Sequence, residues 1–268
     1  MKKFKYAIIN LFIYIFQAIF IKYLYARKNQ ILSSCSICLS KNINFFYSYK
    51  YKYTVIKISR CNNCNYIFQN PRLSDRGLLT FYKLVYRPFK SKTSYSSMFM
   101  REKRRGEYIY AFICEFINDK KINVLEFGCG SGGILDTLKN KTKSEVIGID
   151  LDKQAVSFGK QKGINLLSVD LDNLKDNKFD LIIASHVMEH LDNPQVTLGK
   201  LAELLNDGGY IYIEVPGVEN KKVIESNYSI QPGHLSYFNL DIILKISNKI
   251  NLNSVKSNNK IQVLLKKT

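Results

Sequence analysis

"VLEFGCGSGG", residues 124–133, sets apolar residues around an acid and then places four glycines within six positions. Glycine has no Cβ and accepts positive φ, so Gly128, Gly130, Gly132 and Gly133 let main chain come close to a ligand. A buried strand that ends in such a loop and passes into a helix forms a ligand cradle. Gly128, Gly130 and Gly133 also satisfy the dinucleotide pattern G-x-G-x-x-G, with Asp150 about 20 residues further on, where a ribose-binding acid belongs. The glycines alone do not choose the ligand.

Outward from this stretch, strand and helix patterns alternate: "NVLEFG", the helix "GGILDTLKN", "EVIGID", the helix "KQAVSFGKQ", "INLLSVD", "FDLIIAS", a helix through "VTLGKLAELL", and "GGYIYIEVP". Strands separated by helices of about ten residues predict right-handed crossovers and a parallel sheet covered on both faces. Ligands of such sheets bind outside the carboxyl ends of the strands. Each strand here ends in a polar group: Glu126, Asp150, Asp170, Ser185 with His186, and Glu214 ahead of Pro216. Their convergence on one edge predicts a site.

The chain has 268 residues, 46% of them hydrophobic, enough for one large domain and a smaller attachment. Residues 1–120 hold 22 bases against 5 acids, and the remainder 18 against 17. This asymmetry points the front of the chain toward anionic partners: nucleic acid, anionic lipid or phosphorylated sugars. Tyr6 to Ile21 runs without a charge behind a basic cluster, short of the roughly 20 residues that span a bilayer. No small-residue cleavage site follows. A helix lying in the membrane interface is the expectation for residues 1–25, with a single span or packing on its own protein as alternatives.

Four of the six cysteines fall as Cys35-x-x-Cys38 and Cys61-x-x-Cys64. Two such turns close a tetrahedron of thiolates around a structural Zn2+ that keeps no open position. Residues 43–60 alternate as strands and predict a ribbon between the turns. A basic, tyrosine-rich ribbon could also clasp RNA. "FQNPRLSDRGLLTFYKLVYRPF" reads as a proline turn and a helix, residues 90–100 as a linker, and residues near 102–120 as a helix with Ile109, Phe112, Ile113, Phe116 and Ile117 on one face.

"VLEFGCGSGG", "VIGIDLDKQAVSFGK", "FDLIIASHVMEHLDNP", "LAELLNDGGYIYIEVP" and "GHLSYFNLDIIL" together resemble class I S-adenosylmethionine-dependent methyltransferases. The two CxxC turns, followed by "F.NPR" and "FY...Y", are similar to zinc-ribbon methyltransferases of sugar and surface-glycan biosynthesis. The resemblance implies a Rossmann-like α/β fold with a seven-stranded sheet. The chain thus divides into an apolar membrane-interacting helix at residues 1–28, read from its charge-free run, a zinc-ribbon-like domain and linker at 29–100, and a methyltransferase domain at 101–268, both of which the resemblance implies. The resemblance assigns Phe127 and the loop from Gly128 through Gly130 to Gly132 to the methionine end of S-adenosylmethionine. Asp150, with Leu151, takes the ribose; Asp170, with the backbone at Leu171, brackets the adenine. Glu126 organises the glycine loop, and Ser185 and His186 shape the cofactor wall.

The three histidines, His186, His190 and His234, all fall within these motifs. "HVMEH" also spells an inverted zinc-protease signature, but it directly follows a buried strand rather than lying within a long helix. A hydroxyl acceptor needs its proton removed, so His234 and His190 are the candidate bases, with Glu189 beside them. The expected acceptor is a sugar or glycan, nucleotide-activated or lipid-linked, at the inner face of the cell membrane. RNA is the alternative.

Overall fold

The structure is a computed structural model and describes residues 2–86, 95–117, 121–217, 230–259 and 261–268. The chain forms two compact units. One comprises residues 1–92, 190–192 and 218–238; the other comprises 93–189, 193–217 and 239–268.

The second unit carries the glycine loop. Its strands are β6 (Asn123–Phe127), β7 (Glu145–Ile149), β8 (Leu166–Leu167), β9 (Phe179–Ser185), β10 (Leu205–Glu214), β12 (Leu252–Asn258) and β13 (Gln262–Lys267). They pair in the order β12-β13-β10-β9-β6-β7-β8. The five strands from β10 to β8 are parallel; β13 runs antiparallel to β10, and β12, antiparallel to β13, runs in the direction of the five. The sheet is therefore mixed rather than wholly parallel. Strand order reverses between β6 and β9, the crevice where open α/β sheets bind ligands.

Helices α3 (Tyr95–Ile117), α4 (Gly133–Thr142), α5 (Lys153–Gln161), α6 (Pro194–Glu203) and α7 (Leu240–Asn248) belong to this unit. Ile109, Ile113 and Ile117 recur at helical spacing on α3 and are buried with Leu135, Leu138, Leu181 and Ile183. Each fully buried Leu or Ile of this kind contributes roughly 2 kcal/mol. Helix α3 starts at Tyr95, inside the stretch expected to be linker, because Tyr95 and Phe99 pack on Phe158 of α5. Residues 90–94 lie outside the described residues. Of the two remaining cysteines, Cys129 is buried and Cys114 is half-buried.

The first unit holds α1 (Lys2–Arg27), β1 (Asn29–Gln30), the hairpin of β2 (Ile43–Tyr51) and β3 (Thr54–Cys61), β4 (Ile67–Gln69), β5 (Arg72–Leu73) and α2 (Asp75–Phe81). A π-helical turn, Tyr82–Tyr86, follows α2. The predicted ribbon is the β2–β3 hairpin, joined through β4 to β11 (Ser236–Tyr237) in a four-stranded sheet. "GHLSYF" was expected as a loop following strand five; its last residues instead pair with β4. Ala18, Ile21, Leu24 and Tyr25 of α1 are buried, and three of them share a core with Ile56, Ile58 and Phe81. Leu11, Phe12, Phe16 and Ile19 stay exposed, so α1 is both a core helix and the carrier of an outward apolar face. By length and composition, Ile9–Arg27 is long and apolar enough to cross a membrane.

Candidate active site

Strand β6 delivers the chain into the glycine loop, where Gly128, Gly130 and Gly132 adopt φ of 76°, 54° and 82°. That region favours glycine, and a Cβ on Gly130 would also lie 2.4 Å from Glu102 Oε1. Asp150, at the end of β7, accepts from Gly130 N at 2.8 Å through Oδ2 and from Asp152 N at 2.7 Å through Oδ1. Each carboxylate oxygen has a second acceptor site, so the group that ties the loop can still receive ribose hydroxyls. Leu151 beside it is exposed.

Glu102 was missed in the sequence. From α3 it accepts from Ser131 Oγ at 2.6 Å and from Gly133 N at 3.1 Å, capping the first turn of α4. The approach is close: a Cβ on Gly133 would sit 2.3 Å from the Phe99 carbonyl. As one acid among the basic residues of α3, Glu102 carries no local signal for this role.

Glu126 lies fully inside, and its Oε2 has no hydrogen-bond partner among the described residues. Burial pushes its carboxyl well above the usual range, with added repulsion from Glu102 and Asp150 and partial relief from Arg105. Burial raises Glu102 as well, against the hydrogen bonds from Ser131 and Gly133. Three carboxyl groups thus surround a bare loop. A cation placed there lowers the cost of ionising them, which suits a sulfonium that also carries an ammonium group. A raised folded-state pKa gives stability that is complete below the unfolded glutamate value, about 4.3, and lost as pH rises through the folded value. Glu126→Gln keeps the shape without titrating. Thermal melts of the ligand-free protein from about pH 5 to pH 8 should therefore fall for the parent chain and flatten for the variant. Parallel slopes would show that Glu126 ionises freely.

The third strand ends early. β8 covers only Leu166–Leu167, and Asp170 is the exposed residue that opens a 3-10 turn, Leu171–Leu174, rather than a strand residue. Asp172 pairs with Lys200 at 2.6 Å.

Strand β9 ends at Ser185, whose Oγ donates to Glu214 Oε2 at 2.7 Å. His186 follows with φ of 53°, its N–H donating to the Glu214 carbonyl at 2.8 Å. Its ring sits 3.6 Å from Glu189 Oε1 through Nδ1 and 4.0 Å from Glu214 Oε1 through Nε2. Glu189 is buried. "HVMEH" forms a short 3-10 turn, Met188–His190, not the long helix of a zinc protease.

In the first unit, His190 and His234 stack edge to face with centroids 4.7 Å apart. His190 Nδ1 lies 2.8 Å from the Gly233 carbonyl and 2.8 Å from the Tyr82 hydroxyl. A carbonyl only accepts, so the proton sits on Nδ1 and the ring's lone pair on Nε2. His234 Nε2 lies 2.6 Å from Gln231 Nε2, whose amide donates to it. The loop that carries His234 is held by buried Gln69, whose Nε2 donates to the Gln231 carbonyl at 2.7 Å and the His234 carbonyl at 2.5 Å. Tyr25 of α1 in turn donates to Gln69 Oε1 at 2.7 Å.

The four cysteines converge. Cys35 Sγ is 3.6 Å from Cys64 Sγ, Cys38 Sγ is 3.5 Å from Cys61 Sγ, and all four lie within 4.8 Å of one another. The two turns match in backbone: Cys35 N donates to Ser40 O and Cys61 N to Tyr66 O, with Leu39 and Asn65 at positive φ. A tetrahedron of Zn–S bonds of about 2.3 Å places sulfurs about 3.8 Å apart, so the donor set fits that ion.

A glycine loop after the first strand, an acid at the end of the second and a sheet with one antiparallel edge pair define a class I S-adenosylmethionine-dependent methyltransferase fold. A family model described as a methyltransferase domain matches residues 100–257, more than half of the chain, and the chain belongs to that family. Among curated proteins, it is similar to the mitochondrial ubiquinone biosynthesis O-methyltransferase of Dictyostelium discoideum, 29% identical over 34% of this chain and 34% of that one. The ubiquinone biosynthesis O-methyltransferase of Coxiella burnetii is 31% identical over 38% of this chain and 46% of its own length. The matches therefore span less than half of these relatives. A solved methyltransferase of Archaeoglobus fulgidus superposes with a TM-score of 0.53 at 20% identity, covering 68% of this chain and 99% of that one. The plantazolicin methyltransferase BpumL, solved with SAH, gives 0.56 at 16% identity over 71% and 93%. These likenesses show the fold.

Proposed function

We propose that this methyltransferase transfers a methyl group to a hydroxyl of a sugar or glycan acceptor, phosphorylated or lipid-linked, with His190 removing the proton. S-adenosylmethionine supplies an electrophilic methyl on a sulfonium that leaves by in-line displacement. The chain's own residues hold, orient and deprotonate. Phe127, Gly128, Gly130 and Gly132 seat the methionine end, Asp150 and Leu151 the ribose, and Asp170 with Leu171 the adenine, while Ser185 and His186 form the wall. The observation that carries the base assignment is the Nδ1 proton held toward the Gly233 carbonyl, which puts the lone pair of His190 on Nε2. The O-methyltransferase names of the curated relatives support hydroxyl chemistry. The zinc-ribbon resemblance supports the glycan class over the ring hydroxyls that those names imply.

In the same reading Cys35, Cys38, Cys61 and Cys64 hold a structural Zn2+ that fixes the ribbon. The exposed face of α1, Leu11, Phe12, Phe16 and Ile19, rests on the inner face of the cell membrane.

Two measurements test this. Asp150→Ala should weaken binding of S-adenosylhomocysteine at least tenfold by calorimetry, whereas Asp172→Ala, whose carboxylate pairs with Lys200, should leave it unchanged. Equal effects would remove Asp150 from the ribose site. Incubation with methyl-labelled cofactor and fractionated extract should then place label in nucleotide sugar or lipid-linked glycan. Label in RNA or in a prenylated phenol instead would overturn the acceptor class.

A further inference from the structure

Helix α3 presents a second face that the glycine loop does not use. Arg101, Arg104, Arg105 and Tyr108 follow helical spacing, and with Lys256 of β12 they line a cleft of about 730 Å³ whose floor includes Glu214. Clefts of about 300–1,000 Å³ are of small-ligand size. Four cationic side chains face one carboxylate there.

Two of these charges, on Lys256 and Arg105, have carboxylate partners; those of Arg101 and Arg104 are not neutralised locally. Lys256 reaches Glu115 at 2.6 Å and lies over the Phe112 ring at 4.9 Å, which fixes its stem along the cleft wall. Arg105 Nε is 4.0 Å from Glu214 Oε2, the outer limit of an ion pair. Arg101 and Arg104 make no hydrogen bond or ion pair among the described residues. Three guanidiniums at positions i, i+3 and i+4 of one helix repel one another unless an anion lies between them, and their planar forks match phosphate oxygens in pairs. Tyr108, 72% exposed, offers a ring face beside them.

Glu214 links the cleft to the strand rim. Its Oε2 accepts from Ser185 and its Oε1 from Gln262 at 3.2 Å, with His186 Nε2 4.0 Å away. A group seated in the cleft therefore lies next to the residues assigned to the cofactor wall. We propose that this cleft binds a phosphate or diphosphate group of the methyl acceptor, with Arg101 and Arg104 as its principal ligands. The inference rests on the methyl-transfer reading for its role and on the cleft alone for the binding.

The test uses the full chain at low salt, with inorganic pyrophosphate as the calorimetric probe and S-adenosylhomocysteine as the internal reference. Pyrophosphate should bind one to one. Arg101→Ala/Arg104→Ala should weaken it at least tenfold, and Arg101→Lys/Arg104→Lys should weaken it less, while S-adenosylhomocysteine binds all three proteins equally. UDP binding more tightly than pyrophosphate marks a nucleotide-activated acceptor; dihexanoyl phosphatidic acid doing so marks a lipid-linked one. Absent pyrophosphate heat, or heat indifferent to the alanine pair, overturns the anion site even where S-adenosylhomocysteine binds. Arginine-dependent pyrophosphate binding without S-adenosylhomocysteine binding upholds the site and removes the methyl-transfer reading instead.

Discussion

Cys35→Ser and Cys64→Ser are each expected to unfold the ribbon sheet, and zinc removal by a chelator should do the same to the parent chain. The four sulfurs sit at 3.5–3.6 Å across the two pairs, far from the roughly 2.05 Å of a disulfide and close to the edge of a zinc tetrahedron. Apparent structural-zinc binding energies of about 10 kcal/mol or more equal the whole net stability of a typical domain, about 5–15 kcal/mol. Buried thiols left without the ion also keep two turns at positive φ, at Leu39 and Asn65, that nothing else in the sheet requires. The readout is favourable, because the chain has no tryptophan and eleven of its eighteen tyrosines lie in residues 1–92. Loss of near-ultraviolet tyrosine dichroism should accompany loss of one zinc per chain. Reductant without chelator should change nothing. Zinc-free protein with an unaltered signal would refute the metal assignment.

What the sequence revealed follows from how local each feature is. The strand, glycine loop and helix of "VLEFGCGSGG" lie within one short stretch, so their periods and the need for a bare backbone were readable there. The antiparallel edge was partly hidden: β12, "LNSVKSN", buries Leu252 but leaves most of its other positions exposed, and only its pairing with β13 makes it a strand. Asp170 was read as a strand end because "LLSVD" alternates, yet pairing with β7 stops at Leu167. Glu102 was invisible for a different reason. Its function depends on α3 crossing α4 so closely that a Cβ on Gly106 would fall 2.8 Å from Thr137, a tertiary fact without a motif. His234 was recognised as a candidate base, but the attachment of its segment to β4 through β11 and its support by Gln69 arise from residues more than 160 positions apart.

His190→Ala should lower turnover about a hundredfold or more, while S-adenosylhomocysteine affinity changes less than about twofold. The reasoning is about where a lone pair can be. The Gly233 carbonyl and Tyr82 hydroxyl both lie 2.8 Å from His190 Nδ1, and only the carbonyl's inability to donate decides the tautomer. Once the proton is on Nδ1, Nε2 is the basic atom, held in one orientation by the same contact. An orienting group of this kind acts by geometry and by stabilising the imidazolium that forms. Tyr82→Phe should therefore cost only a few-fold, since the carbonyl still holds the ring. His234→Ala should cost less than His190→Ala, because Nε2 of His234 already accepts from Gln231. Imidazole added to His190→Ala should restore part of the rate, and should restore nothing to Asp150→Ala, whose defect is in binding. Full turnover in His190→Ala would transfer the proton-abstracting role to another group and leave His190 as a support of the Gly233 turn.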